Sequence, residues 1–203
     1  MLKEYATDFT PPQAGFNGAT GLYCGEQDLF SFLIDPAGWA EIDGEAFAPG
    51  FFVGNTEVGK RSVGIQTFWF QAVCANHIVW DAVEVIEFAR KHTARVGDAL
   101  TEIRRHIETL VKKRDGRKDG FVTAIRKAMQ TKFGADAEEV MKALTKHGLS
   151  RGLAKQAVES VSGGRFMIFA IVDALTRLAG QVEYVGDRTA LDVQAASLLT
   201  LAI

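Results

Sequence analysis

The sequence predicts an α+β fold: an N-terminal antiparallel β-rich half, made of hairpins plus one short helix, followed by a C-terminal helical half. Three observations predict it. Short apolar runs punctuated by Gly, Pro, Asn and Asp fill residues 22–92, the pattern of strands and tight turns. Apolar residues at helical spacing fill residues 96–203. The chain also carries 20 glycines, and 14 phenylalanines against 3 tyrosines, a composition of turn-rich sheet with an aromatic core. At 203 residues folding buries roughly 70% of the unfolded surface, so residues 22–203 read as one self-sufficient domain behind an irregular lead-in over 1–21.

Pro11, Pro12, Gly15, Gly18 and Gly21 set that lead-in. Leu29–Ile34 is the first strand. It stops at Asp35-Pro36-Ala37-Gly38, and Trp39–Gly44 alternates after it, so the two read as a hairpin. Phe47–Val53 is the next apolar run, interrupted by Pro49-Gly50, and Gly54–Lys60 is a glycine-bounded turn. Val63 and Ile65 begin another strand. Ile65, Phe68, Trp69, Ala72 and Val73 then fall at helical spacing, which predicts a short helix ended by Asn76 in the left-handed conformation. Ile78-Val79-Trp80 resumes the sheet, and Val83–Phe88 is a further strand or the start of a helix.

From Val96 the period is helical, with Leu100, Ile103, Ile107, Leu110 and Val111 on one stripe. Lys112–Gly120, charged and holding two glycines, reads as a mobile loop. Helices follow from Phe121 to a stop at Gly134, over Ala137–Lys146, and over Leu153–Val161. Gly163-Gly164 breaks the chain before the apolar Phe166–Leu175, a core helix, and Asp187–Ala202 closes the fold.

The formal net charge of -2 conceals a segregation. Residues 1–89 carry -9, residues 90–155 carry +9 and residues 156–203 carry -2. A basic block of this kind points to a polyanionic partner, with an acidic layer packed on a basic layer as its structural counterpart. Cys24 and Cys74 form no CxxC pair, which excludes a disulfide framework or zinc ribbon and predicts a reduced, cytoplasmic setting. No apolar run reaches the ~18 residues of a membrane span, so no membrane partner is expected.

Gly54-Asn55-Thr56-Glu57-Val58-Gly59-Lys60-Arg61-Ser62 falls one position short of a P-loop, because Arg61 stands where the magnesium-binding hydroxyl belongs. A tight turn between strands is the better reading. Cys74, His77 and His92 are too few and too scattered for structural zinc, and Cys74 sits in an apolar run that raises a thiol pKa. No cofactor and no metal are expected. Two features favour nucleic acid: thirteen Lys and Arg between Arg90 and Lys132 for phosphate contact, and Phe68, Trp69, Phe70 and Trp80 as stacking platforms wherever a ring faces solvent. Ala137–Val161 has helix-turn-helix length around His147-Gly148-Leu149-Ser150.

Three blocks, Tyr23–Leu33, Gly50–Gly59 and Phe70–Trp80, resemble successive motifs of domain of unknown function 932, a phage- and plasmid-like bacterial family. They match its GFF-x-x-N-[ST]-E-V-G and F-x-x-V-C-x-N patterns. Arg90-Lys91-His92-Thr93 is similar to its histidine element, and Phe169–Leu178 with Asp187-Arg188 is similar to its C-terminal helices. Thr56, where serine is more usual, and His77 depart from the pattern. The resemblance implies family-motif positions Asn55, Glu57, Gly59, Cys74 and Asn76, and cargo of a mobile genetic element, without a reaction.

The leading expectation is therefore a non-enzymatic nucleic-acid-binding protein, homo-oligomeric, that binds or anneals single-stranded DNA through Arg90, Lys91, Arg104, Arg105, Lys112, Lys113, Arg114, Arg117, Lys118, Arg126 and Lys127. The alternatives are a module that binds a host protein through the acidic N-terminal part, and a nucleotide- or nucleic-acid-processing enzyme. The positions to test for chemistry are Glu57, Cys74 and His92, with Glu57 and His92 as the acid, base or ligand of the enzyme reading.

Overall fold

In the computed structural model Asp43 and Gly44 both take positive φ, 50° and 88°. Asp-Gly favours this two-residue hairpin turn because Asp tolerates the left-handed region and glycine has no Cβ to clash there. The turn joins β3 (Ala40–Ile42) to β4 (Glu45–Thr56), with Ile42 opposite Glu45 and Ala40 opposite Phe47. The structure describes residues 10, 22–24, 28–56, 63–71, 76–78, 88–90, 96–182 and 185–203. The other strands are β1 (Leu22–Cys24), β2 (Asp28–Ile34), β5 (Val63–Gln71), β6 (Asn76–Ile78) and β7 (Phe88–Arg90). The helices are α1 (Val96–Lys112), α2 (Arg114–Gln130), α3 (Ala137–Lys146), α4 (Arg151–Ser160), α5 (Ile168–Ala179) and α6 (Val185–Ser197). Strands lie in the N-terminal half and helices in the C-terminal half, so the class is α+β. Contacts gather the chain into two compact units, Met1–Ala75 with Trp80–Gly120, and Asn76–Val79 with Phe121–Ile203.

In the first unit β4 is the hub. β2 pairs with its residues 50–56 and β3 with its residues 45–47, in line along one edge, while β5 pairs with residues 47–54 on the other. β1 extends the sheet beyond β2 and β7 pairs β5, and each of these five pairings is antiparallel. The hairpin expected between Leu29–Ile34 and Trp39–Gly44 is thereby corrected. Both segments run antiparallel to β4, so Asp35–Trp39 is a jog between them and not a reversal. The Asp35 carboxylate caps the jog by accepting from the Ala37 N–H at 3.0 Å, opening a 3₁₀ turn over Pro36–Gly38.

Pro49-Gly50 does not interrupt the strand as its composition predicts. The Pro49 carbonyl accepts from the Asp35 N–H at 2.7 Å. A strand residue's N–H points to the same side as its C=O, so the N–H that proline lacks falls in the gap between β3 and β2. Gly50 is required by crowding, since a Cβ there would lie 2.5 Å from the Leu33 carbonyl oxygen and 2.9 Å from the Phe68 ring.

The short helix expected across Ile65–Val73 is strand over Val63–Gln71; Ala72 and Val73 lie outside the described residues. Ile65, Phe68, Trp69 and Phe70 are all buried. A strand covered on both faces reads as an unbroken apolar run without alternation, so the spacing of five of its residues fits a helix equally well. Asn76 likewise begins β6 and does not close a helix. One face of the sheet carries Phe51 and Ile65 against Ile103, Ile107 and Leu110 of α1. Burying three such aliphatic side chains is worth about 5–9 kcal/mol before entropy. The other face stacks Phe32, Phe52 and Phe68, with centroids 5.4–6.4 Å apart.

The loop expected over 112–120 is also corrected, because α2 begins at Arg114 and runs through Gly116 and Gly120. A Cβ at either glycine would meet nothing within 4 Å. Tertiary anchors described below override their poor helix propensity.

The second unit is built around α5, whose Ile168, Phe169, Ile171, Val172, Ala174, Leu175 and Ala179 are buried. It packs on α4, α6, β6 and the closing 3₁₀ segment Leu198–Ala202. Phe121, Ala124, Ile125 and Ala128 supply the buried side of α2 in this unit. Bonds Phe133 N–H to Phe166 O (2.7 Å) and Ile168 N–H to Thr131 O (2.9 Å) tie its exit to the entry of α5. Asp136 caps α3 by accepting from the Glu139 N–H at 2.8 Å, and Gly163 and Gly164 take positive φ where the chain breaks after α4.

Candidate nucleic-acid interface

The +9 block resolves into cations that the protein uses itself and cations that face solvent. In the first unit α1 turns its apolar stripe to the sheet, which leaves Arg104, Arg105, Lys112 and Lys113 exposed. Arg104 pairs with Glu108 one turn on at 3.1 Å. The start of α2 is different. The Arg114 guanidinium donates to the Asp35 carboxylate, whose side chain is only 3% exposed, and the Lys118 ammonium donates to the Trp39 carbonyl at 2.7 Å. Both therefore hold α2 onto the jog after β2. They are structural anchors and leave the list of phosphate ligands.

In the second unit Arg126, Lys127, Lys132, Lys146 and Arg151 are exposed and make no ion pair among the described residues. Lys142 pairs with Glu138 at 2.8 Å and Lys155 with Glu159 at 3.7 Å. These are exposed (i, i+4) pairs, a class worth about 0.3–0.5 kcal/mol, so a phosphate replaces the carboxylate at little cost.

Lys146 and Arg151 flank the turn between α3 and α4, whose geometry follows from three residues. Gly148 takes φ +89, its N–H donates to Thr145 O (3.0 Å) and the Leu149 N–H donates to Leu144 O (3.1 Å). This is a complete Schellman cap, with Leu149 and Leu144 both buried. Ser150 then caps α4 by accepting from the Leu153 N–H at 3.3 Å. From α6 the Gln194 side-chain amide donates to the His147 carbonyl at 3.0 Å. Every residue of the turn is thus placed by a backbone bond, a cap or burial.

No family model, curated protein or solved structure matches the chain.

The sequence-predicted positions distribute unevenly. Glu57, Gly59, Cys74, Lys91 and His92 lie outside the described residues. Asn55 is in β4 opposite Leu29, Asn76 opens β6, Arg90 ends β7 and Arg117 is in α2. Phe68, Trp69 and Phe70 are 0% exposed, which removes them as stacking platforms; Trp80 lies outside the described residues. The segment after the near P-loop is strand β5, whereas a P-loop opens a helix. Among the described residues no group of three His, Cys, Asp or Glu is gathered as for a metal ion, and no helix is long and apolar enough to cross a membrane.

Two features escaped the sequence reading. The exposed side of α4, with Arg151, Lys155 and Gln156, was legible as the complement of the buried Ala154, Ala157 and Val158. Asp192 of α6 is 3% exposed and its Oδ1 has no hydrogen-bond partner among the described residues. Burial pushes its carboxyl well above the usual range, against the Arg188 guanidinium, whose Nε stands 3.9 Å away. Its spacing from Leu191 and Ala195 puts it beside the apolar side of α6, and a lone acid there gives no pattern to recognise.

Proposed function

We propose that the chain is a non-enzymatic nucleic-acid-binding protein acting in the cytoplasm, and that it belongs to a phage- or plasmid-like bacterial element, the last being what the resemblance to domain of unknown function 932 implies. One observation carries the reading. Arg126, Lys127, Lys132, Lys146 and Arg151 are exposed and have no carboxylate partner among the described residues, so a polyanion meets them without first displacing an ion pair. Burial of Phe68, Trp69 and Phe70 shifts the expected contact from bases stacked on rings to the phosphate backbone.

Five phosphate contacts give a salt slope near -4.5, so affinity falls about 10²–10³-fold between 50 and 200 mM salt. Fluorescence anisotropy with labelled DNA at those two concentrations measures it. A steep loss supports the proposal. Absence of binding at low salt, or binding insensitive to salt, refutes it.

A further inference from the structure

We infer that α3 and α4 form a helix-turn-helix reader of double-stranded DNA, with α4 as the helix that enters the major groove; the inference rests on the nucleic-acid reading above and names its substrate class. The turn is the first ground. The Schellman cap, the Ser150 cap and the Gln194 bond hold α4 against α3 without a flexible residue between them, and a reader helix must be presented rigidly to keep its register on the duplex. The second ground is the division of α4. Ala154, Ala157 and Val158 are buried, while Arg151, Gly152, Lys155 and Gln156 are exposed along one side. Arginine, lysine and glutamine are the side chains that donate to guanine and adenine edges in the major groove.

Gly152 supplies the third ground. A Cβ there would meet nothing within 4 Å, and its φ is not positive, so neither crowding nor backbone conformation within the chain asks for glycine in the first turn of α4. A side chain is missing where a partner's backbone would come closest. The same side carries two cations, Arg151 and Lys155, and one acid, Glu159, which pairs with Lys155 at 3.7 Å, so it stays net basic. The acids Asp136, Glu138 and Glu139 stand at the start of α3, about 15 Å from the turn by helical rise, and the turn itself is bounded by Lys146 and Arg151. A helix about 10–12 Å across with its side chains fits the ~12 Å width of the B-DNA major groove, whereas the major groove of duplex RNA is too narrow and deep to admit one.

The test uses the full chain and three labelled probes: a random-sequence DNA duplex of about two helical turns, the corresponding single strand and the RNA duplex. Wild type is compared with R151A/K155A/Q156A, with Gly152→Glu and with R104A/R105A, all exposed substitutions whose folding is checked by circular dichroism. Wild type is expected to prefer the DNA duplex about tenfold. Both α4 variants lose at least about tenfold on it, as removal or blocking of groove contacts requires, while R104A/R105A changes it less. Unchanged duplex binding in the α4 variants, or equal binding to single strands or duplex RNA, overturns the inference and leaves the nucleic-acid reading intact. No salt-sensitive binding to any probe overturns both.

Discussion

Gly50→Ala tests the register on which the first unit depends. Gly50 faces Ile34 of β2 and Phe68 of β5, and the added methyl would stand 2.5 Å from the Leu33 carbonyl oxygen, 2.9 Å from Phe68 Cζ and 3.1 Å from Cε2. Optimal carbon contacts lie at about 3.5–4.0 Å, so the overlap approaches an ångström. Neither obstacle yields easily. The oxygen belongs to the backbone of a paired strand, and the Phe68 ring is itself packed between Phe32 and Phe52 at 6.0 and 6.4 Å. Overpacking of a core costs about 1–3 kcal/mol, and a backbone obstacle puts this site at the upper end. A loss of ~3 kcal/mol corresponds to a Tm lower by about 6–12 °C in a chain of this size, and to a urea midpoint lower by about 1–3 M. Urea denaturation followed by fluorescence reads it, because Trp69 is fully buried. Gly116→Ala is the control of opposite sign: its Cβ meets nothing, and alanine is favoured over glycine in a helix by about 0.5–1 kcal/mol. A Gly50→Ala midpoint within error of wild type would refute the pairing of β2 with β4 described here.

The remaining predictions concern two charges. Arg114→Ala leaves the Asp35 carboxylate buried with the Ala37 N–H as its remaining donor among the described residues, and is expected to cost about 2–4 kcal/mol, below the ~3–5 of a fully buried pair because the guanidinium is 26% exposed. Adding Asp35→Asn recovers part of that loss in the same denaturation assay, and DNA affinity stays at the wild-type value; a stability unchanged by Arg114→Ala refutes the anchor. Burial raises the Asp192 carboxyl well above its usual range, against the opposing Arg188 charge, so its contribution to stability is fully present below the unfolded carboxyl pKa of about 3.9 and is lost as pH rises through the raised folded value. Asp192→Asn is therefore expected to stabilise the chain near neutral pH, with the gain shrinking towards about pH 4. A gain that does not depend on pH, or a loss at neutral pH, contradicts the buried carboxyl.

Legibility followed the caps. Helices α3, α4 and α5 were readable because Asp136, Ser150 and the Gly163-Gly164 pair mark their ends, and because their apolar residues recur with one period. Strand β5 was not, since burial on both faces erases the alternation that identifies a strand. The β2–β3 relation was misread because a turn signal at Asp35-Pro36 says that the chain bends and not which strand it meets afterwards. The basic block was visible as a count, but not which of its members are committed: Asp35 and Trp39, the partners of Arg114 and Lys118, lie 79 positions away in each case. The turn at His147–Ser150 was legible as a break, whereas its rigidity depends on Gln194, 47 positions further along.

The position of Pro49 bears on how the chain avoids aggregation while it is being made. Phe47–Val53 is the kind of aromatic, uncharged segment that stacks with copies of itself, and an unpaired edge of such a strand is a template for intermolecular pairing. Here the strands that cover one edge of β4, β2 and β3, precede it in the chain and are already synthesised when it emerges. Proline within the run denies a foreign strand one ladder hydrogen bond on that same edge, and the folded sheet gives up nothing for it because the gap between β3 and β2 falls there.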